Sequence, residues 1–322
     1  MEQYLILKRI KVSNANAIAG FTYGFPAVTH FLGYVHALSR KLQGQGITLS
    51  DTAILCHQAQ IHAYRENNYE PYHFALTRNP LTKDEKTAPI NEEGKMYLEV
   101  SLIIKVTGLN TASDEGIEEK CKEIKALAEQ QKLAGGTINS IQHCSLITND
   151  QPTKILRSLL PGFILVDRSD LLAQTSQTDK LKQWLSFSAL KFTAHKIIEE
   201  NNTTEQESEK KEKIEWRQEK KQGYLVPIQI GYKAISQTYA ANEVENSRDQ
   251  TTPVTFVEAI HSIAEWIGSP SRITSMEQIL WTYHYDAPFY LCHCCKQDLP
   301  PPTIVLETTV SENTTDDTYF TY

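Results

Sequence analysis

The chain has 322 residues, 40% of them hydrophobic and 22% charged, and a mean hydropathy of -0.40; this profile excludes collagenous and disordered classes and allows a sizeable core in one large domain or two smaller ones. The net charge of -7 by itself argues against a nucleic-acid partner, but the average hides an asymmetry. Over residues 1–50, Lys8, Arg9, Lys11, Arg40 and Lys41 face Glu2 alone, net +4 against -11 for the other 272 residues, which fits an anion held on one face of an acidic body.

Tyr4–Val12 alternates and then runs apolar, predicting a strand. From Pro26 onward Val28, Phe31, Leu32, Val35, Leu38 and Leu42 keep helical spacing, with Gly33 and Ala37 as a close-packing notch. AILCHQAQIHAY (53–64) and MYLEVSLIIKVTGL (96–109) read as strands, joined by the hydrophilic, proline-punctuated TRNPLTKDEKTAPINEEG as an extended hairpin. Ser113 caps a helix lined by Ile117, Cys121, Ile124 and Ala128, which Gly135 and Gly136 stop, and TINSIQHCSLI follows as a strand. The order β-α-β-β-α-β predicts an α+β, ferredoxin-like domain of the RNA-recognition-motif type over residues 1–150, with a protruding hairpin at about 70–95.

Residues 151–300 read as a helix-rich part: Lys154–Leu160, a short strand FILV, Asp170–Leu190 with interruptions, GYLVPIQIGYKAI, and an amphipathic helix Val254–Ile267. Residues 199–222 are almost wholly polar with mixed signs and read as an exposed linker, and 301–322 read as a disordered tail. No apolar run approaches the roughly 18 residues of a membrane span, and MEQYLILKRIKVS lacks the order of a secretory signal, so a cytoplasmic location without membrane contact is expected. The six cysteines, without disulfide-framework spacing, are expected as thiols.

Candidate chemistry is sparse. The CHCC stretch, Cys292–Cys295, has zinc-ligand residue types but no second pair at matching spacing, so no metal is expected. None of the ten histidines sits in a recognisable catalytic arrangement, and no Walker or dinucleotide fingerprint is present, so no cofactor is expected. GFTYGFPA at the start of the first helix is the better candidate. Pro26 suits the first helical turn, whose free N–H groups favour an anion, Tyr23 and Phe25 sit where bases stack, and Asn14 and Asn16 bring amides beside them. Phe25 and Phe31 read equally well as core.

NANAI at Asn14–Ile18, YGFPAVTHFLGYVHALSRKL, TRNPL, LEVSL, KLAGGTI, LLPGFILVDR, GYLVPIQIGYKAIS, NSRDQTTPVTFVEAI and ILWTYHY, in series from about residue 5 to 290, resemble the block pattern of the second Csy subunit of type I-F CRISPR surveillance complexes, in the Cas-five branch of the repeat-associated RNA-binding superfamily. The polar insertion at 199–222 and the CHCC tail depart from it. The resemblance implies a non-catalytic subunit that binds the five-prime handle of the CRISPR RNA with the large Csy subunit, next to the backbone filament subunit, and meets target DNA through the assembled complex. TRNPLTKDEKTAPINEEG takes the place of the family's thumb. On that reading Lys8, Arg9, Arg40 and Lys41 neutralise phosphates; Asn14, Asn16, Tyr23, Phe25 and the Gly24 and Ala27 amides read or stack bases; Arg78 and Asn79 act from the thumb, and Asn246, Ser247 and Arg248 from the C-terminal part. The alternative is a metal-independent ribonuclease that cuts precursor RNA, with His30 or His36 as base and Tyr23 assisting.

Overall fold

The structure, a computed structural model, describes residues 2–82, 84–109, 113–148, 151–173, 179–189, 191–199, 211–218, 223–247 and 249–296. Arg248, the centre of the polar insertion and the 301–322 tail lie outside the described residues. Strands β1 (Gln3–Asn16), β2 (Thr48–Ile61), β3 (Lys95–Thr107) and β4 (Gly136–Ile147) pair antiparallel in the order β4-β1-β3-β2. Helix α1 (Val28–Leu42) joins β1 to β2, and α2 (Asp114–Glu129) joins β3 to β4. Side chains alternate across a strand, so Leu5, Leu7, Ile54, Leu102 and Ile104 share one face and meet Phe31, Val35, Leu38, Ile124 and Ala128 of the helices in one buried cluster. Ser113 caps α2, its Oγ accepting the Gly116 N–H at 3.2 Å.

Two local expectations are corrected. Helix α2 ends at Glu129, and the glycines after it serve a hairpin: Ala134 (φ 49°) and Gly135 (φ 74°) turn the chain from Lys132–Leu133 into β4, the two positive values that a two-residue hairpin turn requires. Gly33 makes no notch; it is exposed, with nothing within 4 Å of where a Cβ would stand.

The second half is not helix-rich. Among the described residues its helices are α3 (Pro152–Arg157), a single turn at Ser169–Ala173 and α4 (Lys180–Ser188), against seven strands: β5 (Phe163–Asp167), β6 (Phe192–Glu199), β7 (Lys211–Gln218), β8 (Leu225–Ala234), β9 (Val257–Ile267), β10 (Trp281–Asp286) and β11 (Phe289–Cys294). The expected helix at Val254–Ile267 is strand β9. Ile260, Ile263, Ala264 and Ile267 mimic helical spacing because β9, paired to β5 and β8, is buried on both faces and carries apolar residues on each. The polar segment is likewise not all linker, since its described ends belong to an antiparallel β6–β7 ribbon.

One sheet runs across residue 150. From β2 it continues β5-β9-β8-β11-β10, and β10 returns to β2 where Trp281 stands opposite Thr52, closing a six-stranded ring. Trp281 is fully buried and its Nε1–H donates to the Leu165 carbonyl at 2.9 Å. The sheet face opposite α1 and α2 is partly sealed: Tyr4, Ile6, Leu55 and Ile103 are buried beneath Ile155, Leu156 and Leu159 of α3 and its C-terminal turn, together with Ile273, Met276 and Ile279. Among the described residues no helix is long and apolar enough to cross a membrane.

Candidate nucleic-acid interface

Beyond the α3 lid the same sheet face is polar. A bulge at Lys8–Arg9, where Arg9 takes φ 49°, shifts β1 so that Ile10 and Val12 return to the core and Arg9 and Lys11 join Lys8 on the open side. Lys8 stands opposite His143 and Lys11 opposite Ser140 of β4; Lys11, His143 and Ser140 are exposed, and Tyr97 of β3 is half-buried. The cations differ in freedom. Arg9 is tied to the buried Glu99 carboxylate at 2.6 Å, so its charge is largely offset, whereas Lys8 donates to the Ser158 carbonyl at 3.1 Å and meets no carboxylate among the described residues. Lys11 and His143 escaped the site reading because cross-strand register is not written in either strand alone.

Beneath this surface a polar relay fills the bulge. The Arg9 N–H donates to Ser101 Oγ at 2.9 Å, Ser101 Oγ lies 2.7 Å from His57 Nε2, and His57 Nδ1 lies 2.6 Å from the Pro161 carbonyl. A carbonyl only accepts, so Nδ1 carries the proton and Nε2 accepts from Ser101. Ser101 is fully buried, so the pair is a structural bridge rather than a nucleophile and base.

Burial lowers the pKa of His57 and of His30, since a desolvated imidazolium is disfavoured; the bonds to Pro161 and Ala27 oppose this. The folded chain therefore binds these protons more weakly than the unfolded chain, and stability is lost as pH falls from the unfolded value near about 6.5 toward the lower folded values. The urea midpoint is expected to drop between about pH 7.5 and 5.5, and the His30→Gln, His57→Gln double variant is expected to flatten that drop; a wild-type midpoint constant across the window contradicts it.

The GFTYGFPA turn divides into exposed and committed residues. Ile18–Ala19 and Thr22–Tyr23 form a tight hairpin whose Gly20 (φ 61°) lies against His261 of β9; a Cβ there would stand 2.5 Å from the imidazole. Phe21 at its tip is 90% exposed, and Tyr23, 42% exposed, packs edge-on against Phe74 at 5.3 Å. The Asn16 amide is used locally, its Oδ1 accepting the Ile18 N–H at 3.0 Å and its Nδ2 donating to the Ile18 carbonyl at 2.8 Å; Asn14 is exposed at φ 56°. The Gly24 N–H donates to Ala17 at 2.7 Å and Ala27 is fully buried. Phe25 stacks on Phe31 at 5.3 Å and meets Trp266 at 4.8 Å, so it is core. The Gly24 amide is therefore already used, and the Phe25 ring is not open to a ligand.

Arg40 and Lys41 sit in the last turn of α1, where cations favour the helix dipole. A helix of 15 residues puts them roughly 20 Å from the Tyr23 turn. Arg40 instead lines a cleft of about 490 Å³ with His36, Ser39, Asp51 and Tyr283. In the predicted thumb, Leu76–Arg78 pairs with Ile90–Glu92, and Arg78 and Asn79 are exposed. Its base adjoins the Tyr23 hairpin through Phe74 and through Gly94, where a Cβ would meet Ile18 at 2.5 Å. Asn246 (φ 58°) is exposed in the β8–β9 loop, where Ser247 Oγ donates to the Asp249 carbonyl at 3.1 Å. Asp249 is held down at about 2 by the hydroxyls of Thr251 and Thr252, which donate to its carboxylate.

The residues of the ribonuclease alternative sit in different settings. His30 Nδ1 is buried and His36 Nδ1 lies 3.0 Å from the Tyr283 hydroxyl on β10, whereas Tyr23 lies in the hairpin ahead of the helix. In the CHCC stretch, strand alternation buries Cys292 and Cys294 on one side while His293 meets His284 on the other at 5.0 Å, so the three cannot reach one ion.

The sequence profile of the family described as "CRISPR-associated protein (Cas_Csy2)" matches residues 5–292. "CRISPR-associated protein Csy2" of Pseudomonas aeruginosa (strain UCBPP-PA14) is 35% identical over 306 residues, 89% of this chain and 93% of that protein. The chain therefore belongs to the Csy2 family, the second Csy subunits of type I-F CRISPR complexes.

Proposed function

We propose that this subunit is a non-catalytic clamp for the five-prime handle of the CRISPR RNA, built on a ferredoxin-like core. The order β4-β1-β3-β2, with two helices on one face, supports that core. One observation carries the function: the other face is sealed by α3 over part of its length and left open at Lys8, Lys11 and His143. Lysines there draw a phosphate backbone, and Tyr97, Phe21 and Tyr23 supply ring faces for unstacked bases. The hairpin ending in Arg78 and Asn79 folds over the strand as a thumb. The large Csy subunit binds alongside, the backbone filament subunit follows along the guide, and target DNA is read by guide pairing, not by this chain. Its setting is the cytoplasm.

Lys8→Ala with Lys11→Ala is the test. Handle RNA affinity, measured by filter binding on the complex across salt concentrations, is expected to fall about tenfold, and the log–log salt slope to become shallower by roughly 1.4, or about 0.7 per phosphate contact on a single strand. Unchanged affinity and slope would remove this face from the interface. Discrete cleavage of labelled repeat RNA by the purified chain, abolished by His30→Ala, would replace the clamp with a nuclease.

A further inference from the structure

The β6–β7 ribbon stands apart from the large sheet; among the described residues no third strand pairs with it. Its register sets Phe192, Ala194 and Lys196 opposite Gln218, Trp216 and Ile214. With alternation Phe192, Ala194, Ile214 and Trp216 share one face, on which Phe192 is 55%, Ile214 58% and Trp216 66% exposed. Two strands alone are marginally stable in water, and a tryptophan, a phenylalanine and an isoleucine on one uncovered side mark a surface made to be covered. The helix that leads into the ribbon continues the pattern: Trp184 of α4 turns inward, its Nε1–H donating to the Ser262 carbonyl at 3.0 Å, while Leu181 and Leu185 one turn apart are 64% and 44% exposed.

We infer that the ribbon is a docking arm whose Phe192–Trp216 face is covered by an apolar patch on another protein subunit of the complex. Charge selects this occupant. Residues 191–222 hold eight basic and eight acidic side chains, so the segment offers no net attraction to a phosphate backbone. Arg217 on the opposite face is already bound by Glu215 at 2.8 Å. A second copy is disfavoured because each chain carries -7, and like net charge keeps chains apart. A neutral ribbon with an aromatic face matches the compositional signature of a protein–protein interface, in which aromatic residues anchor an apolar centre. The inference rests on membership in a multi-subunit family and is independent of the handle reading.

The test uses the complex assembled from co-expressed subunits. Phe192→Ser with Trp216→Ser is expected to weaken association of this chain with the remaining subunits at least about tenfold, and Trp216→Phe to restore most of it. Handle RNA affinity and the thermal midpoint of the isolated chain should stay at wild-type values, which separates loss of docking from misfolding and from failure of the handle reading. In the wild-type chain, hydrogen exchange at 192–196 and 214–217 should slow on assembly with the protein subunits. Wild-type assembly by the double variant, exchange slowed by RNA alone, or concentration-dependent protection in the isolated chain, which would signal a second copy, each overturns it.

Discussion

Glu265→Gln is expected to destabilise the folded chain by about 3 kcal/mol, because removing one member of a buried ion pair leaves an uncompensated buried charge. Glu265 is fully buried on β9, and its carboxylate binds both Arg168, which follows β5 and is 2% exposed, and Arg272 in the turn that helps seal the second sheet face. Asp170 holds the other side of Arg168 at 3.0 Å, so that guanidinium keeps one carboxylate while both arginines lose the Glu265 charge. The variant keeps the shape of the side chain and removes its charge, which isolates electrostatics from packing. Thermal unfolding should show the midpoint lowered by roughly 6–12 °C at about 2–4 °C per kcal/mol for a chain of this size class. The exposed pair Arg217–Glu215 is the control, expected to contribute no more than about 0.5 kcal/mol. A loss below about 1 kcal/mol for Glu265→Gln would mean that water or rearrangement satisfies the two guanidiniums.

Trp281→Ala is expected to cost about 3–5 kcal/mol, the range for emptying a large aromatic site in a core. Trp281 is the largest fully buried side chain among the described residues, and it supplies the pairing of β10 with β2 that closes the ring. Its removal also takes away the indole N–H that donates to the Leu165 carbonyl on β5. Hydrogen exchange in β10 and β11 should accelerate more than in β1 and β3, since the ring opens at its seam while the four-stranded core keeps its own helices. Uniform acceleration across all strands, or a loss under about 1.5 kcal/mol, would show that the seam carries no separate weight. Trp281→Phe should lose less, retaining most of the apolar volume but not the hydrogen bond.

Local periodicity was a good guide in the first half, where each element presents one buried face: the α1 stripe from Val28 to Leu42 is buried as spaced, and Ser113 caps α2. It failed at β9, where burial on both faces of a strand imitates a helix, and at Gly135, where the glycine needed for a hairpin reads the same as one needed for a helix end. Site residues were less legible. Basic residues and exposed rings are visible in the sequence, but whether a cation is free is not: Arg9 has Glu99, 90 positions away, whereas Lys11 is exposed. Phe25 and Tyr23, two residues apart, look alike as stacking rings, yet one packs on Phe31 and Trp266 and the other reaches the surface.

From the sequence alone came the family, through blocks spread over most of the chain, and the order of strands and helices through residue 147, because both are local properties that survive without knowledge of contacts. The tertiary structure decided what those blocks share: a sheet that continues past residue 150 into a closed ring, a face half sealed by α3, and a ribbon left uncovered. Pairing between distant strands depends on burial that only the assembled chain creates, and the same event determines which charges are neutralised and which remain to meet a partner.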